Sequence, residues 1–120
     1  MKIPPIEIPI TEIPLGKNVR LFLKREDLVH PEISGNKYWK LFYNVNQYLQ
    51  QNPKKPFMIT FGGAFSNHIA ALAALGNDLK IKTLGIIRGD ELLHKWQYNP
   101  TLKTAHANGM YFRFVTLEEY

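Results

Sequence analysis

Between Pro56 and Thr116 the chain alternates short apolar runs with helix-like stretches, and this alternation restricts the fold more than any other feature. "PFMITFGG" is an apolar run closed by two glycines and reads as a buried strand. "SNHIAALAALG" follows, with a capping serine, an alanine-rich helical composition and Gly76 as a stop signal. "KIKTLGIIRG" reads as a second strand, "NPTLKTAHANG" as a shorter helix ending at Gly109, and "MYFRFVT" as a third strand. Strands separated by helices pair in parallel through right-handed crossovers. The expectation is an α/β fold with an open, mainly parallel sheet and flanking helices.

Upstream, the prolines of "IPPIEIPITEIP" fix φ and remove donors, so residues 1–15 read as an extended segment or edge strand. Val19, Leu21 and Leu23 alternate with Arg20, Phe22 and Lys24 at the period of a strand. "REDLVHPEISGN" is a loop punctuated by Pro31 and Gly35. From Asn36, apolar residues recur at three- and four-residue spacing through Trp39, Phe42, Val45 and Leu49. The spacing predicts a helix ending near Asn52-Pro53, with Ser34 as its cap. At the far end, Thr116 and Glu119 stand at capping-box spacing and announce a new helix. That signal reads as the front part of a longer protein.

Several function classes are excluded or made poor fits. No apolar run approaches the roughly 20 residues of a membrane span, and the proline-broken N-terminus carrying Glu7 is not a secretory signal. Cysteine is absent, which removes disulfides and thiolate zinc sites and fits a cytoplasmic protein. The net charge of +5 comes from Lys and Arg scattered in ones and twos, with no basic helix face. This pattern speaks against nucleic acid and for a mildly basic surface that attracts small anions. His30, His68, His94 and His106 lack paired ligand spacing, so no metal is expected.

Two places carry candidate chemistry. In "TFGGAFSNH", glycines turn the chain between a strand and a helix, so the first helical N–H groups point outward. Unpaired donors and the helix dipole there favour an anion, and Ser66 and Asn67 add side-chain donors. The common alternative is that such a serine only caps its helix. The spacing is neither a Walker loop nor a Rossmann fingerprint, and Gly-x-Ser-x-Gly is absent around Ser66. The second place is Lys37 in "SGNKYWKLF", which on its own reads as a surface lysine. A helix N-terminus disfavours its cation, and Tyr38-Trp39 can partly desolvate its amine. A lysine in that setting can attack an aldehyde, as a Schiff base with pyridoxal phosphate requires.

Taken in order, "LFLKREDLVHPEISGNKYWKL" and "TFGGAFSNHIAALAALG" resemble the opening of the pyridoxal-phosphate enzymes related to 1-aminocyclopropane-1-carboxylate deaminase and D-cysteine desulfhydrase. These belong to the tryptophan-synthase-β-like, or type II, group. The resemblance runs from about Leu15 to Tyr111, and family members are roughly two or three times this length. It implies an incomplete N-terminal part of a two-domain enzyme. Residues 1–50, with the extended segment, strand and lysine-bearing helix, would belong to the larger domain. Residues 51–120 would form a βαβαβ part of the smaller open-sheet domain, truncated at its C-terminus.

By the same resemblance, Lys37 falls on the lysine that holds pyridoxal 5'-phosphate as an internal aldimine and then moves protons. Ser66, Asn67 and His68 fall on the loop that grips the substrate carboxylate, with Asn67 also touching the cofactor's ring oxygen. The implied protein is a lyase or deaminase of a small amino acid, a homodimer at full length. The family's phosphate loop, active-site tyrosines and pyridine-nitrogen partner lie later in its chains, so these 120 residues alone are expected to be inactive. His68 matches the desulfhydrase type, where the deaminase has glutamine. Ile69-Ala70 departs from the Thr-Arg or Val-Arg of both types, so both substrates stay open. A non-catalytic α/β domain that holds a small anion is the rival reading.

Overall fold

The computed structural model describes residues 6–33 and 35–120. Two strands, β1 (Ile10–Pro14) and β2 (Arg20–Lys24), form an antiparallel hairpin, with Ile10 opposite Lys24 and Pro14 opposite Arg20. The Arg25 amide ties its base to the Pro9 carbonyl at 2.9 Å. The expected extended opening and the alternating strand are thus partners in one ribbon. Helix α1 (Asn36–Gln50) begins where the periodicity placed it. Gly35 occupies its N-cap position at φ 59°, ψ −138°, a conformation essentially reserved for glycine. Ser34, expected to cap this helix, lies outside the described residues.

The rest is β3 (Phe57–Gly62), α2 (Asn67–Leu79), β4 (Lys82–Arg88), α3 (Pro100–Ala107) and β5 (Met110–Val115), with short 3-10 helices at Glu26–Leu28, Asp90–His94 and Trp96–Tyr98. The strands form one parallel sheet in the order β3-β4-β5, with Phe57 opposite Lys82 and Thr83 opposite Met110. Helix α2 packs on β3, β4, α1 and α3, while α3 packs on β5. Both crossover helices therefore cover the same face. Met58, Thr60 and Gly62 of β3 are buried under them, and Thr83, Gly85 and Ile87 of β4 likewise. The alternate residues Phe57, Ile59, Phe61 and Tyr111 stay exposed on the opposite face. The core includes Ile69, Ile87, Leu102 and Met110, and Val29, Ile33, Tyr38, Leu41 and Val45 join it from the first 50 residues.

One boundary differs from the sequence reading. Gly76 does not stop α2; the helix runs on to Leu79 and closes at Lys80 in the left-handed region, φ 57°. Gly76 is glycine because the strand behind it is too close: a Cβ there would overlap Thr83 Cγ2 and lie 2.9 Å from the Ile81 carbonyl oxygen. The capping box at the end of the chain does form. Glu119 accepts the Thr116 amide at 2.9 Å and Thr116 Oγ1 accepts the Glu119 amide at 3.2 Å, holding the Glu119 carboxyl below its usual range. Among the described residues, no helix is long and apolar enough to cross a membrane.

Replacing Gly76 by valine is expected to cost about 1–3 kcal/mol, the usual penalty for overpacking a close contact. Gly63→Ala, whose added carbon would sit 3.8 Å from Arg88 Nη2, should cost much less. Urea midpoints of the two variants against the parent provide the comparison.

Candidate functional site

The strand-to-helix turn after β3 sets the geometry of the site. A Cβ on Gly62 would come within 2.7 Å of Ile69 Cγ1 and 2.8 Å of Ser66 Oγ, so only glycine lets the chain turn this tightly into α2. The Ser66 amide donates to the Gly63 carbonyl at 3.1 Å, and Ser66 Oγ accepts the Ile69 amide at 3.4 Å. Ser66 therefore acts as an N-cap, with extended backbone at φ −73°, ψ 117°. The amides of Asn67 and His68 open the helix and have no intrahelical acceptor. These are the outward donors that the sequence suggested.

Lys37 reaches this terminus from α1, which packs against α2 through its buried face of Tyr38, Leu41 and Val45. Lys37, Asn67, Gly35, Asn36 and Glu32 line one cavity of about 360 Å³, floored by Ala70 and Ala71. Lys37 is half-buried, and its Nζ donates to Asn36 Oδ1 at 2.8 Å. Among the described residues no carboxylate lies within ion-pair distance of it. An amine, an amide side chain and a helix N-terminus thus meet at one opening. This donor set suits a small anionic molecule bearing an electrophilic carbon, and it fits pyridoxal phosphate or a substrate carboxylate.

His68 faces another way. It lines a separate groove of about 580 Å³ between α1 and β3, with Lys40, Tyr48, Thr60 and Leu72 among its neighbours. Burial depresses its pKa below the ordinary value, and the charges of Lys37 and Lys40 push it further down. The structure thus brings Lys37 and Asn67 together, gives Ser66 the role of cap, and sets His68 one helical step away in the electrostatic reach of both lysines. Sequence reasoning missed Glu32 and Asn36 as cavity residues. Their places five and one residues before Lys37 in the chain were the available signal.

A depressed histidine pKa means that the unfolded chain takes up the proton first as the pH falls. Stability is therefore full above about 6.5, the ordinary histidine value, and is lost as the pH falls through the folded value. Replacing His68 by glutamine should flatten this part of the dependence of the urea midpoint between pH 7.5 and 5. An unchanged slope would show that the His68 charge is not felt.

Comparison with known proteins adds an independent line. No family model matches the chain. Over 79 residues, 66% of its length, it is 35% identical to a bifunctional D-cysteine desulfhydrase/1-aminocyclopropane-1-carboxylate deaminase, mitochondrial, of Arabidopsis thaliana. The match spans 19% of that protein, about a fifth of its length. Among solved structures, a homologue of 1-aminocyclopropane-1-carboxylate deaminase superposes with a TM-score of 0.70 at 26% identity, over 92% of this chain and 33% of that one. Two more distant structures share the fold at a TM-score of 0.59. One is a hydrogen sulfide-producing enzyme from Fusobacterium nucleatum, 12% identical, with 92% of this chain and 35% of that one covered. The other is an O-acetylserine dependent cystathionine beta-synthase from Helicobacter pylori, 15% identical, with 93% and 36% covered. The two segments that flank the cavity, the curated match and the shared type II fold agree: the chain is similar to the N-terminal portion of the 1-aminocyclopropane-1-carboxylate deaminase/D-cysteine desulfhydrase enzymes and has their fold.

Proposed function

We propose that this chain supplies the lysine and the carboxylate grip of a pyridoxal-phosphate-dependent lyase or deaminase acting on a small amino acid. The observation that carries the reading is the shared cavity: Lys37 and Asn67, distant in sequence, line one opening at the N-terminus of α2. Lys37 would hold the cofactor covalently through Nζ, with Asn67 beside it. Pyridoxal phosphate, when bound, supplies the electron sink for charge developing at the amino acid's Cα. The chain's own residues do the rest. The Asn67 side chain and the outward amides of α2 orient the carboxylate, and Ser66 holds that terminus in shape.

D-cysteine carries an α-hydrogen that Lys37 Nζ could take up, with sulfide leaving Cβ to give pyruvate, sulfide and ammonia. The cyclopropane amino acid has no α-hydrogen, so Lys37 cannot begin in this way, and ring opening would yield 2-oxobutanoate and ammonia. His68 favours the D-cysteine reaction by residue type, since the desulfhydrase type carries histidine where the deaminase carries glutamine. Assignment of residues 1–50 to a larger domain and 51–120 to a smaller one is part of the same proposal. A non-catalytic small-anion-binding domain draws support from the same helix terminus, since holding an anion there needs no covalent step.

Borohydride reduction of the full-length protein with pyridoxal phosphate, followed by peptide mass mapping, separates the two readings. The pyridoxyl mass is expected on the peptide containing Lys37 and absent from it in Lys37→Ala. Its appearance at random lysines, or nowhere, would refute the enzyme reading. Sulfide release from D-cysteine measured against 2-oxobutanoate release from the cyclopropane amino acid then identifies the substrate.

A further inference from the structure

The loop that delivers Lys37 is fastened by a histidine that the site itself does not use. His30 Nδ1 stands 3.1 Å from the amide nitrogens of both Glu32 and Ile33, each of which can only donate. Nδ1 must therefore be the unprotonated acceptor, and the ring proton must sit on Nε2. Nε2 lies 3.0 Å from Asp78 Oδ2, so this proton is donated to the carboxylate. Asp78 is next to last in α2, and Asn67 is first. At 1.5 Å per residue these positions are about 16 Å apart along one rigid helix.

His30 therefore meets α2 near its C-terminal end, while Lys37 shares a cavity with Asn67 at its N-terminal end. Val29 and Ile33 of the loop are buried. Glu32 Oε1 accepts Asn108 Nδ2 at 2.9 Å, and Asn108 Oδ1 accepts Asn77 Nδ2 at 3.3 Å, a parallel tie from the same loop to the ends of α3 and α2. The Gly35 amide donates to the Glu26 carbonyl at 3.0 Å, and the Tyr38 amide to the Gly35 carbonyl at 3.2 Å, fixing the turn on which Lys37 sits.

We propose that His30 is a positioning residue: its Nδ1 gathers the Glu32 and Ile33 amides and its Nε2–H grips Asp78, so that the Lys37 turn is held to the same helix that carries Asn67. The relevance of this geometry to catalysis rests on the function proposed above. An alkyl side chain at position 30 would lose both joints. Asparagine would keep the inner one, because its Oδ1 can accept the same two amides as in an Asx turn, while falling short of Asp78.

Exchange is followed in the 120-residue protein and pyridoxyl trapping in the full-length one, each with three variants, His30→Leu, His30→Asn and the exposed Asp78→Ala. In the parent, two-bond ¹H–¹⁵N ring spectra at neutral pH should show the Nε2–H tautomer at His30. Hydrogen exchange at the Gly35 and Tyr38 amides should rise about tenfold in His30→Leu, the factor that one lost hydrogen bond of about 1.4 kcal/mol represents. Asp78→Ala should move the same amides in the same direction, and His30→Asn should recover most of the protection of Glu32 and Ile33. Pyridoxyl trapping at Lys37 should fall with the loss at Gly35 and Tyr38. A proton on Nδ1, or faster exchange confined to Glu32 and Ile33, would make His30 a local brace and overturn the proposal. If Lys37 takes no pyridoxyl group even in the parent, the proposed function falls, while exchange at Gly35 and Tyr38 still decides the role of His30.

Discussion

The burial of α2 is the constraint on which the rest of the molecule depends. Six consecutive residues, Ala71 to Gly76, are buried, so this helix has no solvent face along its middle. It is packed by the sheet, by α1 and by α3 at once. Such a helix can only be made of small side chains where neighbours approach and larger ones where they do not, and the alanines, Leu72 and Gly76 follow that rule. The same demand reaches into the strands. Gly85 leaves room for Met110 Sδ and Ile69 Cδ1, which a Cβ would meet at 3.0 and 3.4 Å, and Gly62 leaves room for the turn into the helix.

The candidate site inherits its form from that packing. An α2 pinned on all sides presents its N-terminus in one direction, and α1 can reach it only by laying Tyr38, Leu41 and Val45 against it. Lys37, at the start of α1, then lines the cavity with Asn67. The electrostatic character follows as well: burial, and after it the charges of two lysines from α1, hold the His68 pKa below its ordinary value. Meanwhile the sheet is covered on one face alone among the described residues, leaving Phe57, Ile59, Phe61 and Tyr111 open on the other. Parallel sheets ordinarily have both faces covered. This fits a chain that spans about a third of the solved structures it resembles.

The sequence reading failed where a residue had two physical uses. Gly76 carried the mark of a helix stop, yet it serves a close approach between α2 and β4 that only the partner strand reveals. At Ser66 both uses were read: its Oγ accepts the Ile69 amide as a cap, and its part in holding an anion belongs to the proposed function. The polar ties from His30 to Asp78 and from Glu32 to Asn108 join residues 48 and 76 positions apart, which no local pattern can announce. The capping box of Thr116 and Glu119, by contrast, is a matter of three residues and was legible in full.

Local order in this protein was written in short-range chemistry. Periodicity, glycines and capping residues marked the three strands and two α-helices from residue 57 onward, together with the helix that begins beside Lys37, because these depend on neighbours within one or two turns; the 3-10 helices at Asp90–His94 and Trp96–Tyr98 carried no such mark. The motifs around Lys37 and Ser66-Asn67-His68 were enough to suggest a family. The meeting of Lys37 with Asn67, the turning of His68 into a separate groove and the fastening of the lysine loop by His30 are contacts between distant segments. They exist because α1 and α2 bury apolar faces against each other, and no residue count along the chain contains that distance.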